Sequence, residues 1–372
     1  MRGGERQLLY LAGYLRGQGH RNVIVCRAAS PLAREAQRLG FITLFLPFAG
    51  EWDPLSAFLL RRHACRAEGS VLLHAHTAHT ASLAFLASRF SGPAWVCHRR
   101  VDFSLSNPLT AKIKYAKAGR IIAVSEAIRA LLINEGIAED RVEVVHDCLP
   151  LNEEEARAAG VAAPMRPVTP AERLRLRRRF ADEWSVSPDD LWIGNVAALV
   201  AHKNQADLLR AFALLIKEEP RALLFLLGEG PLRGGLTALA QKLGVQDRVR
   251  LTGHRKDAVE WLQCLDVFAL SSWGEGMGSV LLEAMACALP IVATTAGGIS
   301  EVLGADRTGL LCPPRDPRRL SEAILWMLRH RETAREYARN AALVLENFSL
   351  TRCGREVEKI YDGALSSAWR RN

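Results

Sequence analysis

The stretch SSWGEGMGSVLLEAMACALP, residues 271–290, carries two glutamates eight residues apart, Glu275 and Glu283. In one continuous helix, eight residues would turn about 800° and leave the two side chains about 12 Å apart along the axis. The glycines around Glu275 disfavour a helix until about Gly278 or Ser279. The sequence therefore predicts a loop that carries Glu275, a helix start with free amides, and Glu283 one turn inside the helix. Two carboxylates with N–H donors between them suit a ligand with hydroxyls at both ends and phosphate in the middle.

Length and composition indicate a globular protein of two domains. The chain has 372 residues, of which 49% are hydrophobic and 24% charged, and each half is long enough to bury a core. No apolar run approaches the ~18 residues of a membrane span, and no secretory signal opens the chain. The eight cysteines are scattered without a C-x-x-C pair, which is typical of reduced core cysteine. We therefore expect a cytoplasmic protein without a disulfide framework or a zinc site.

The positive charge is concentrated in the first part of the chain. The net charge is +9, and residues 1–150 hold 19 Lys and Arg against 12 Asp and Glu, which gives +7 for that part alone. A basic half favours an anionic partner, such as a phospholipid surface, a phosphorylated saccharide or a nucleic acid. An ordinary solvated surface with an excess of arginine is the alternative.

Segments typical of strands and of helices alternate along both halves of the chain. In the first half, NVIVC, FITLFLPF, VLLHAH and AWVCH are strand-like and are separated by helix-like segments. A charged, proline- and alanine-rich stretch precedes a second alternation. The pattern predicts an α/β protein with two Rossmann-like, doubly wound domains that face each other across a ligand-binding cleft. The predicted divisions are an N-terminal domain, 1–152; a linker, 153–185; a C-terminal domain, 186–346; and a C-terminal helix that returns toward the first domain, 347–372.

The first predicted helix begins almost at the first residue of the chain. Gly3 and Gly4 stand where a doubly wound domain has its glycine-rich first βα turn, yet only two residues precede them. A strand needs about five residues. We expect that the natural protein begins roughly 10 to 20 residues earlier, enough for a strand and its lead-in, or that the given sequence lacks its first strand. A loose N-terminal tail with incidental glycines is the alternative.

The sequence EGMGSVLLEAMACALPIVATTAGGISEVL (275–303), followed by TGLLCPPRDP (308–317), resembles the signature half of the retaining glycosyltransferases of family 4, which have the GT-B fold. The family pattern is Glu, seven residues, Glu, then Ala-Met-Ala, a strand, Gly-Gly and a further Glu. Weaker matches follow one another in the family's order along the rest of the chain. They include RGGERQ (2–7), VLLHAHT (71–77), WVCHRR (95–100) and GNVAALVAHKNQADLLRAF (194–212).

The resemblance implies transfer of a sugar from a nucleotide-diphospho-sugar donor to a hydroxyl acceptor, with the anomeric configuration retained. It implies no metal or other cofactor, and no nucleic acid as a partner. Glu275 would bind hydroxyls of the transferred sugar, and Glu283 those of the ribose. The amides expected to face the diphosphate are those of Gly276, Met277, Gly278 and Ser279.

Lys203 matches the family's diphosphate-binding lysine. An ammonium at that point would stabilise the negative charge that develops on the leaving nucleoside diphosphate. The family usually places an arginine five or six residues before this lysine, but those positions here are Ala198 and Ala197. Arg255 or His202 is the expected substitute.

His98 ends the strand AWVCH and matches a family histidine that is directed at the sugar and its bond to phosphate. His74 and His76 are two residues apart in LLHAH, so they share one face of a strand. His76 is nearer the end of that strand and is the expected ligand contact. No carboxylate accompanies these histidines, so we predict no metal site there. A buried strand-end histidine without a role in binding is the alternative for His98.

The acceptor side is predicted from glycines and from a basic cluster. Gly3 and Gly4 would allow the backbone to approach a ligand closely. The amides of Gly297 and Gly298 are expected to line the cleft, with Glu301 as a structural residue. A basic cluster would hold a phosphorylated, saccharide or lipid-linked acceptor, or dock on an anionic membrane face. Its members are Arg99, Arg100, Lys112, Lys114 and Lys117.

Three classes of function remain open from the sequence. The leading hypothesis is a retaining glycosyltransferase of bacterial envelope or lipopolysaccharide-type glycan synthesis, at the inner face of the membrane. A nucleotide-sugar epimerase or a hydrolase of the donor would keep the fold but would not respond to acceptor. A non-catalytic nucleotide-sugar-binding subunit would bind donor without turnover. The sequence argues against a dehydrogenase, because no G-x-G-x-x-G follows a strand.

Overall fold

The protein forms two compact units. Unit 1 combines Met1–Pro164 with Phe348–Asn372, and unit 2 is the continuous segment Met165–Asn347. Both are α/β structures with parallel sheets, as the sequence predicts. The segment 153–185, predicted as a linker, contains one helix of each unit. The computed structural model describes residues 3–89, 92–101, 114–115, 117–304 and 308–369.

Unit 1 alternates helices and strands along the chain. The described helices are α1 (Gly3–Gly17), α2 (Pro31–Arg38), α3 (Pro54–Ala64), α4 (Ala78–Ala87), α5 (Glu126–Asn134), α6 (Glu153–Ala159) and α15 (Leu350–Trp369). The described strands are β1 (Val23–Cys26), β2 (Ile42–Phe45), β3 (Leu72–Ala75), β4 (Ala94–Arg99), β5 (Arg120–Ala123) and β6 (Val142–Val144). Side chains of the preceding residues cap several helices, among them those of Asp53, Thr77 and Asn152.

The described strands of unit 1 form two parallel sheets and not one. β1 pairs with β2, and the other sheet has the order β3-β4-β5-β6. Within the described residues, β1 and β3 therefore each have a single neighbour. The register pairs Ala75 with Cys97, so the next residue of each strand, His76 and His98, lie side by side. The predicted extra segment before Met1 stays a prediction.

The C-terminal helix α15 packs against the first helix of unit 1. The Tyr14 hydroxyl donates to the Glu358 carboxylate at 2.8 Å. Gly354 is required at this contact, because a Cβ atom there would lie 2.3 Å from the Tyr14 ring. The start of α15 is also tied down, since Glu155 accepts hydrogen bonds from the amides of Leu151 and Thr351. Residues from both ends of the chain thus complete one unit.

Unit 2 contains one parallel sheet with the strand order β12-β11-β10-β7-β8-β9. Its strands are β7 (Leu191–Val196), β8 (Ala222–Leu227), β9 (Val249–Gly253), β10 (Val267–Leu270), β11 (Ile291–Thr294) and β12 (Leu310–Cys312). Its described helices are α7 (Pro170–Trp184), α8 (Gln205–Leu215), α9 (Arg233–Lys242), α10 (Ala258–Leu262), α11 (Val280–Ala286), α12 (Ile299–Leu303), α13 (Pro317–Arg329) and α14 (Arg331–Val344). All residues of β8, β10 and β11 are buried, as expected of parallel strands that are covered on both faces.

Helix α7 is fixed to the sheet of unit 2 by a half-buried acid, Asp266. Asp266 accepts hydrogen bonds from Arg173 at 2.8 Å, from Arg177 at 3.0 Å and from the amide of Trp192 at 2.8 Å. Burial favours the neutral acid, but the positive charges of Arg177 and Arg173 hold the pKa of Asp266 below its usual value. The Asp266 carboxylate is therefore ionised at neutral pH and joins α7 to β7.

We predict that Asp266→Asn lowers the free energy of unfolding by about 3 kcal/mol, because it leaves the buried Arg177 without a counter-charge. The depressed pKa of Asp266 means that its contribution is present above the unfolded pKa of about 3.9 and is lost as the pH falls through the lower folded pKa. The free energy of unfolding of the variant should therefore fall less than that of the wild type as the pH is lowered through this range. Urea unfolding as a function of pH measures both effects. Asp189→Asn, at an exposed position, is the matched control; equal losses in the two variants would contradict the prediction.

Candidate functional site

The acidic loop of unit 2, residues 271–279, connects β10 to α11. Gly278 has φ +79°, in the left-handed region that favours glycine, and α11 begins at Val280. The predicted helix start is thereby confirmed. Glu275 lies in the loop, whereas Glu283 lies in the first turn of α11 and is buried. The buried acid and the loop acid therefore flank the backbone between them, as the spacing predicts.

Lys203 and Glu275 form an ion pair. The Lys203 ammonium donates to both carboxylate oxygens, with Nζ–Oε1 2.7 Å and Nζ–Oε2 2.5 Å. Ser272 donates a further hydrogen bond to Glu275 at 3.0 Å, and the Ser271 hydroxyl donates to the Lys203 carbonyl at 3.0 Å. β7 and β10 are neighbours in the sheet, so the segments that follow their carboxyl ends meet here. A cation and an anion, both largely shielded from solvent, thus stand at the ligand-binding edge expected of such a sheet.

Gly297 and Gly298 pack against the acidic loop. A Cβ atom at Gly297 would lie 1.7 Å from the carbonyl oxygen of Glu275, so only glycine fits this position. The Gly298 amide donates to the Gly276 carbonyl at 3.1 Å. The prediction that Gly298 offers its amide to a ligand is therefore wrong, because this N–H already bonds the loop. Both glycines hold the loop of Glu275 in place.

Arg255 does not replace the arginine that the family pattern places before Lys203. Its guanidinium donates to Asp257 at 2.8 and 2.7 Å and to Glu183 at 2.5 and 3.1 Å. These hydrogen bonds, the one to Asp257 first, raise the pKa of Arg255 above its ordinary value. The prediction of Arg255 as a donor-binding residue is wrong, since two carboxylates already occupy its guanidinium. His202 presents its carbonyl oxygen to the amide of Trp273 at 2.9 Å.

Sequence reasoning missed two residues beside the acidic loop. Trp273 donates its indole N–H to the Ala201 carbonyl at 2.9 Å, and so lies against the turn that carries Lys203. The guanidinium of Arg315, beyond the end of β12, lies 4.9 Å from the centre of the Trp273 ring. Arg315 is thus a cation brought to the loop by stacking on an aromatic ring. No spacing rule connects position 315 to position 273, although Arg315 lies within the family-like TGLLCPPRDP.

Three histidines form a cluster in unit 1. The ring centroids of His74 and His76 are 4.0 Å apart. The ring centroid of His98 lies 5.7 Å from that of His74 and 5.9 Å from that of His76. Burial, followed by the charge of Arg100, lowers the pKa of His74 to about 3. Burial also holds the pKa values of His76 and His98 well below the ordinary range. All three imidazoles are therefore neutral at neutral pH.

Arg100 determines the tautomer of His76. Its guanidinium donates to Asp147 at 2.9 Å and lies 3.0 Å from Nδ1 of His76. Because arginine only donates, Nδ1 of neutral His76 accepts and Nε2 carries the proton. Ring nitrogens of the three histidines lie within 4.8 Å of one another, as a metal site would require. A protonated Nε2 and the adjacent guanidinium charge both oppose a metal ion, which favours hydrogen bonding as the function of His76.

His98 is buried with both ring nitrogens lacking a partner among the described residues. Nε2 of His74 is also buried and lacks a partner among the described residues, while Nδ1 of His74 lies 2.6 Å from the Tyr361 hydroxyl. A buried donor or acceptor without a partner costs about 1–3 kcal/mol. The cluster thus presents unused hydrogen-bonding capacity, which is what a binding site for hydroxyl groups requires.

Gly3 and Gly4 lie in the first turn of α1. A Cβ atom at Gly4 would lie 3.7 Å from Cδ of Arg100, an ordinary van der Waals separation. The structure therefore places Gly4 beside the arginine that bonds His76 and Asp147. The predicted role of Gly3 and Gly4, to let the backbone approach a ligand closely, stays a prediction.

Three of the five members of the predicted basic cluster are enclosed or paired within the fold. Arg99 is buried, and Lys114 is buried with its ammonium 3.2 Å from Glu51 and 3.1 Å from the Ser82 hydroxyl. Arg100 is bound to Asp147, and Lys117 is exposed, whereas Lys112 lies outside the described residues. The prediction of membrane docking through Arg99, Arg100 and Lys114 is wrong, because these cations are enclosed by the fold. None of the helices in the described part of the chain combines the length and apolar character that a membrane crossing requires.

Comparison with known families matches both units of the chain. Residues 1–153 match the family described as Glycosyltransferase Family 4, and residues 177–344 match the family described as Glycosyl transferases group 1. The chain belongs to the family 4 glycosyltransferases. Its two Rossmann-like units are those of the GT-B fold.

Two relatives and one solved structure illustrate this similarity. The N-acetyl-alpha-D-glucosaminyl L-malate synthase of Bacillus anthracis is 31% identical over 194 residues, which cover 51% of each chain. The N-acetylgalactosamine-N,N'-diacetylbacillosaminyl-diphospho-undecaprenol 4-alpha-N-acetylgalactosaminyltransferase of Campylobacter jejuni is 26% identical over 258 residues, 69% of this chain and 63% of the relative. The match thus spans between half and two thirds of the length of these relatives. The crystal structure of Anabaena HepE in complex with UDP and glucose has a TM-score of 0.83 and 21% identity, and the match covers 97% of this glycosyltransferase and 96% of HepE.

We predict that His98→Phe does not lower the free energy of unfolding at pH 7, because it keeps the ring and removes two unpartnered nitrogens. The wild-type protein should lose stability as the pH falls below the ordinary histidine pKa of about 6.5, since the unfolded chain then binds protons that buried His98 does not. Each such histidine contributes about 1.4 kcal/mol per pH unit, and the variant should lose one such contribution.

Chemical unfolding at several pH values between 5 and 7 measures this slope. His63→Phe, at an exposed position of unit 1, is the control and should leave the slope unchanged. An unchanged slope in His98→Phe would show that His98 is not held neutral.

Proposed function

We propose that this glycosyltransferase moves a sugar from a nucleotide-diphospho-sugar to an acceptor hydroxyl and retains the anomeric configuration. The Lys203–Glu275 ion pair carries the proposal. It supplies a cation for a diphosphate and a carboxylate for sugar hydroxyls at the carboxyl-terminal edge of the sheet of unit 2. Glu283, buried one helical turn inside α11, supports ribose binding on the other side of the loop backbone.

The donor would lie along the acidic loop. In this arrangement Glu275 accepts hydrogen bonds from the transferred sugar, and the backbone from Gly276 to Ser279 faces the diphosphate. Lys203 then exchanges part of its pairing with Glu275 for the phosphate oxygens. The existing pair holds both side chains in position before the donor arrives, which limits the conformational entropy lost on binding.

The chemistry assigned to Lys203 is stabilisation of the leaving group. When the bond between the anomeric carbon and the diphosphate oxygen breaks, the electron pair goes to the diphosphate, and the nearby ammonium stabilises the added charge. The acceptor hydroxyl attacks from the same face and gives its proton to the departing diphosphate oxygen, so the configuration is retained without a covalent intermediate. We assign no carboxylate as a nucleophile and propose transfer without a metal ion.

Unit 1 provides a second polar site, the histidine cluster. We propose that the unpartnered nitrogens of His98 and the Nε2–H of His76 bind saccharide hydroxyls. Neutral imidazoles suit this purpose, because they donate and accept hydrogen bonds without attracting the anionic part of the donor.

The proposed acceptor is a saccharide or a lipid-linked saccharide of a bacterial envelope glycan. The name of the Campylobacter jejuni relative contains a diphospho-undecaprenol acceptor, which supports the lipid-linked class. The eight cysteines are all free and six are buried, which supports a reducing compartment such as the cytoplasm, at the inner face of the membrane. Since HepE was solved with UDP, a UDP-sugar is the first donor to test.

We predict that Lys203→Ala and Glu275→Gln each lower kcat by about 100-fold or more, because each removes an interaction with charge or hydroxyls that the transition state requires. Release of nucleoside diphosphate from UDP-, GDP- and ADP-sugars measures the rate. The matched controls are Lys242→Ala and Glu260→Gln, which change exposed or half-exposed residues of unit 2 outside the acidic loop.

Thermal unfolding separates a loss of function from a loss of fold. The Lys203 and Glu275 variants should still unfold cooperatively, at a temperature lowered by the loss of the shielded ion pair, but should lose the stabilisation by nucleotide-sugar. Wild-type turnover in either variant would refute the assignment. Donor consumption that is independent of added acceptor would indicate a hydrolase or an epimerase, and donor binding without turnover would indicate a binding subunit.

A further inference from the structure

An exposed apolar surface lies at the start of α3 in unit 1. The relative solvent exposures of Trp52, Leu55 and Phe58 are 45%, 56% and 59%. Leu55 and Phe58 are three positions apart and so lie on one face of α3, and Trp52 comes just before the helix. We call these three residues the apolar patch. Single exposed apolar side chains are ordinary, whereas adjacent large ones mark an interaction surface.

The apolar patch is held outward by the fold. The opposite face of α3, with Ala57, Leu60 and Ala64, is already buried. Asp53 caps the helix by accepting from the amides of Leu55 and Ser56 at 3.0 and 3.1 Å. These contacts fix the helix orientation, so the patch residues cannot turn into the core.

Trp52 is oriented by a neighbouring helix. Its ring forms a T-shaped contact with that of Phe85 of α4, with centroids 6.2 Å apart and an interplanar angle of 88°. Its indole remains nearly half exposed in this position. The patch is therefore a preformed surface of two helices, which needs little ordering when it binds.

The charges around the apolar patch are predominantly positive. Arg62 and Arg66, at and beyond the end of α3, are exposed and form no ion pair with the described residues. The acids nearest the patch in sequence are occupied, because Asp53 caps α3 and Glu51 pairs with Lys114 at 3.2 Å. Glu68 is the one further acid between residues 51 and 70. Arginines beside leucine and aromatic side chains match an interface of anionic headgroups over acyl chains.

We propose that the apolar patch docks on an anionic phospholipid surface. Trp52, Leu55 and Phe58 enter the boundary between headgroups and acyl chains, and Arg62 and Arg66 bind the headgroup phosphates. This surface replaces Arg99 and Lys114, which are buried, and Arg100, which is paired with Asp147, as the proposed membrane contact. The inference deepens the proposed lipid-linked acceptor, but vesicle binding is measured without donor or acceptor. A failure of either proposal can therefore be recognised separately.

Co-sedimentation of the full chain with vesicles tests the proposal. Wild-type protein should bind mixed vesicles of phosphatidylcholine and phosphatidylglycerol. Its affinity for vesicles of phosphatidylcholine alone should be at least about tenfold lower, because each arginine near an anionic surface adds severalfold to the affinity. Leu55→Ser/Phe58→Ser and Arg62→Glu/Arg66→Glu should each weaken anionic-vesicle binding by about tenfold or more. The matched control, Leu214→Ser/Leu343→Ser, changes exposed apolar residues of unit 2 and should bind as the wild type does.

Three outcomes would overturn the proposal. In the first, the wild type binds both kinds of vesicle equally. In the second, either α3 variant binds anionic vesicles as strongly as the wild type does. In the third, an α3 variant also changes the oligomeric mass while its vesicle binding stays unchanged. The last result would assign the patch to a second copy of the chain. Hydrogen exchange with bound vesicles should show protection at residues 52–62 and not in unit 2. Circular dichroism and thermal unfolding verify that each variant is folded.

Discussion

The ion pair between Lys203 and Glu275 is the interaction on which the candidate site depends. The two residues are 72 positions apart, and they meet because β7 and β10 are neighbours in a parallel sheet. Gly297 then allows a third segment to approach the Glu275 carbonyl, where no other residue would fit. The position of a single ammonium group thus depends on sheet order, on a salt bridge and on one missing Cβ atom. Side chains that are fixed in this way need no rearrangement of the scaffold to meet a ligand.

The parts of the fold that depend on local sequence could be predicted. Gly278 takes a left-handed backbone conformation, and this preference of glycine places the start of α11 correctly from neighbouring residues alone. The alternation of strand-like and helix-like segments likewise predicts the parallel sheets of both units. It does not predict that the sheet of unit 1 has two parts, because hydrogen bonding between strands depends on partners far apart in the chain.

Most of the errors involve a partner distant in sequence. Arg255 is occupied by Glu183, 72 positions away, as well as by the neighbouring Asp257, and Lys114 is occupied by Glu51, 63 positions away. Asp147, which holds Arg100 and through it His76, follows Arg100 by 47 positions and belongs to no motif. A charged residue in a sequence is therefore a weak guide to surface charge. Only burial distinguishes cations that meet a partner molecule from cations that neutralise an internal acid.

The discontinuous unit 1 has a consequence for biosynthesis. Its last helix is supplied by the final segment of the chain, whereas unit 2 is one continuous stretch. During translation, unit 2 can be completed while the surface around Tyr14 still awaits Gly354 and its helix. The nascent chain therefore emerges with its first domain unfinished and its second able to fold. Chaperone contacts on the ribosome should concentrate on the surface that is completed last.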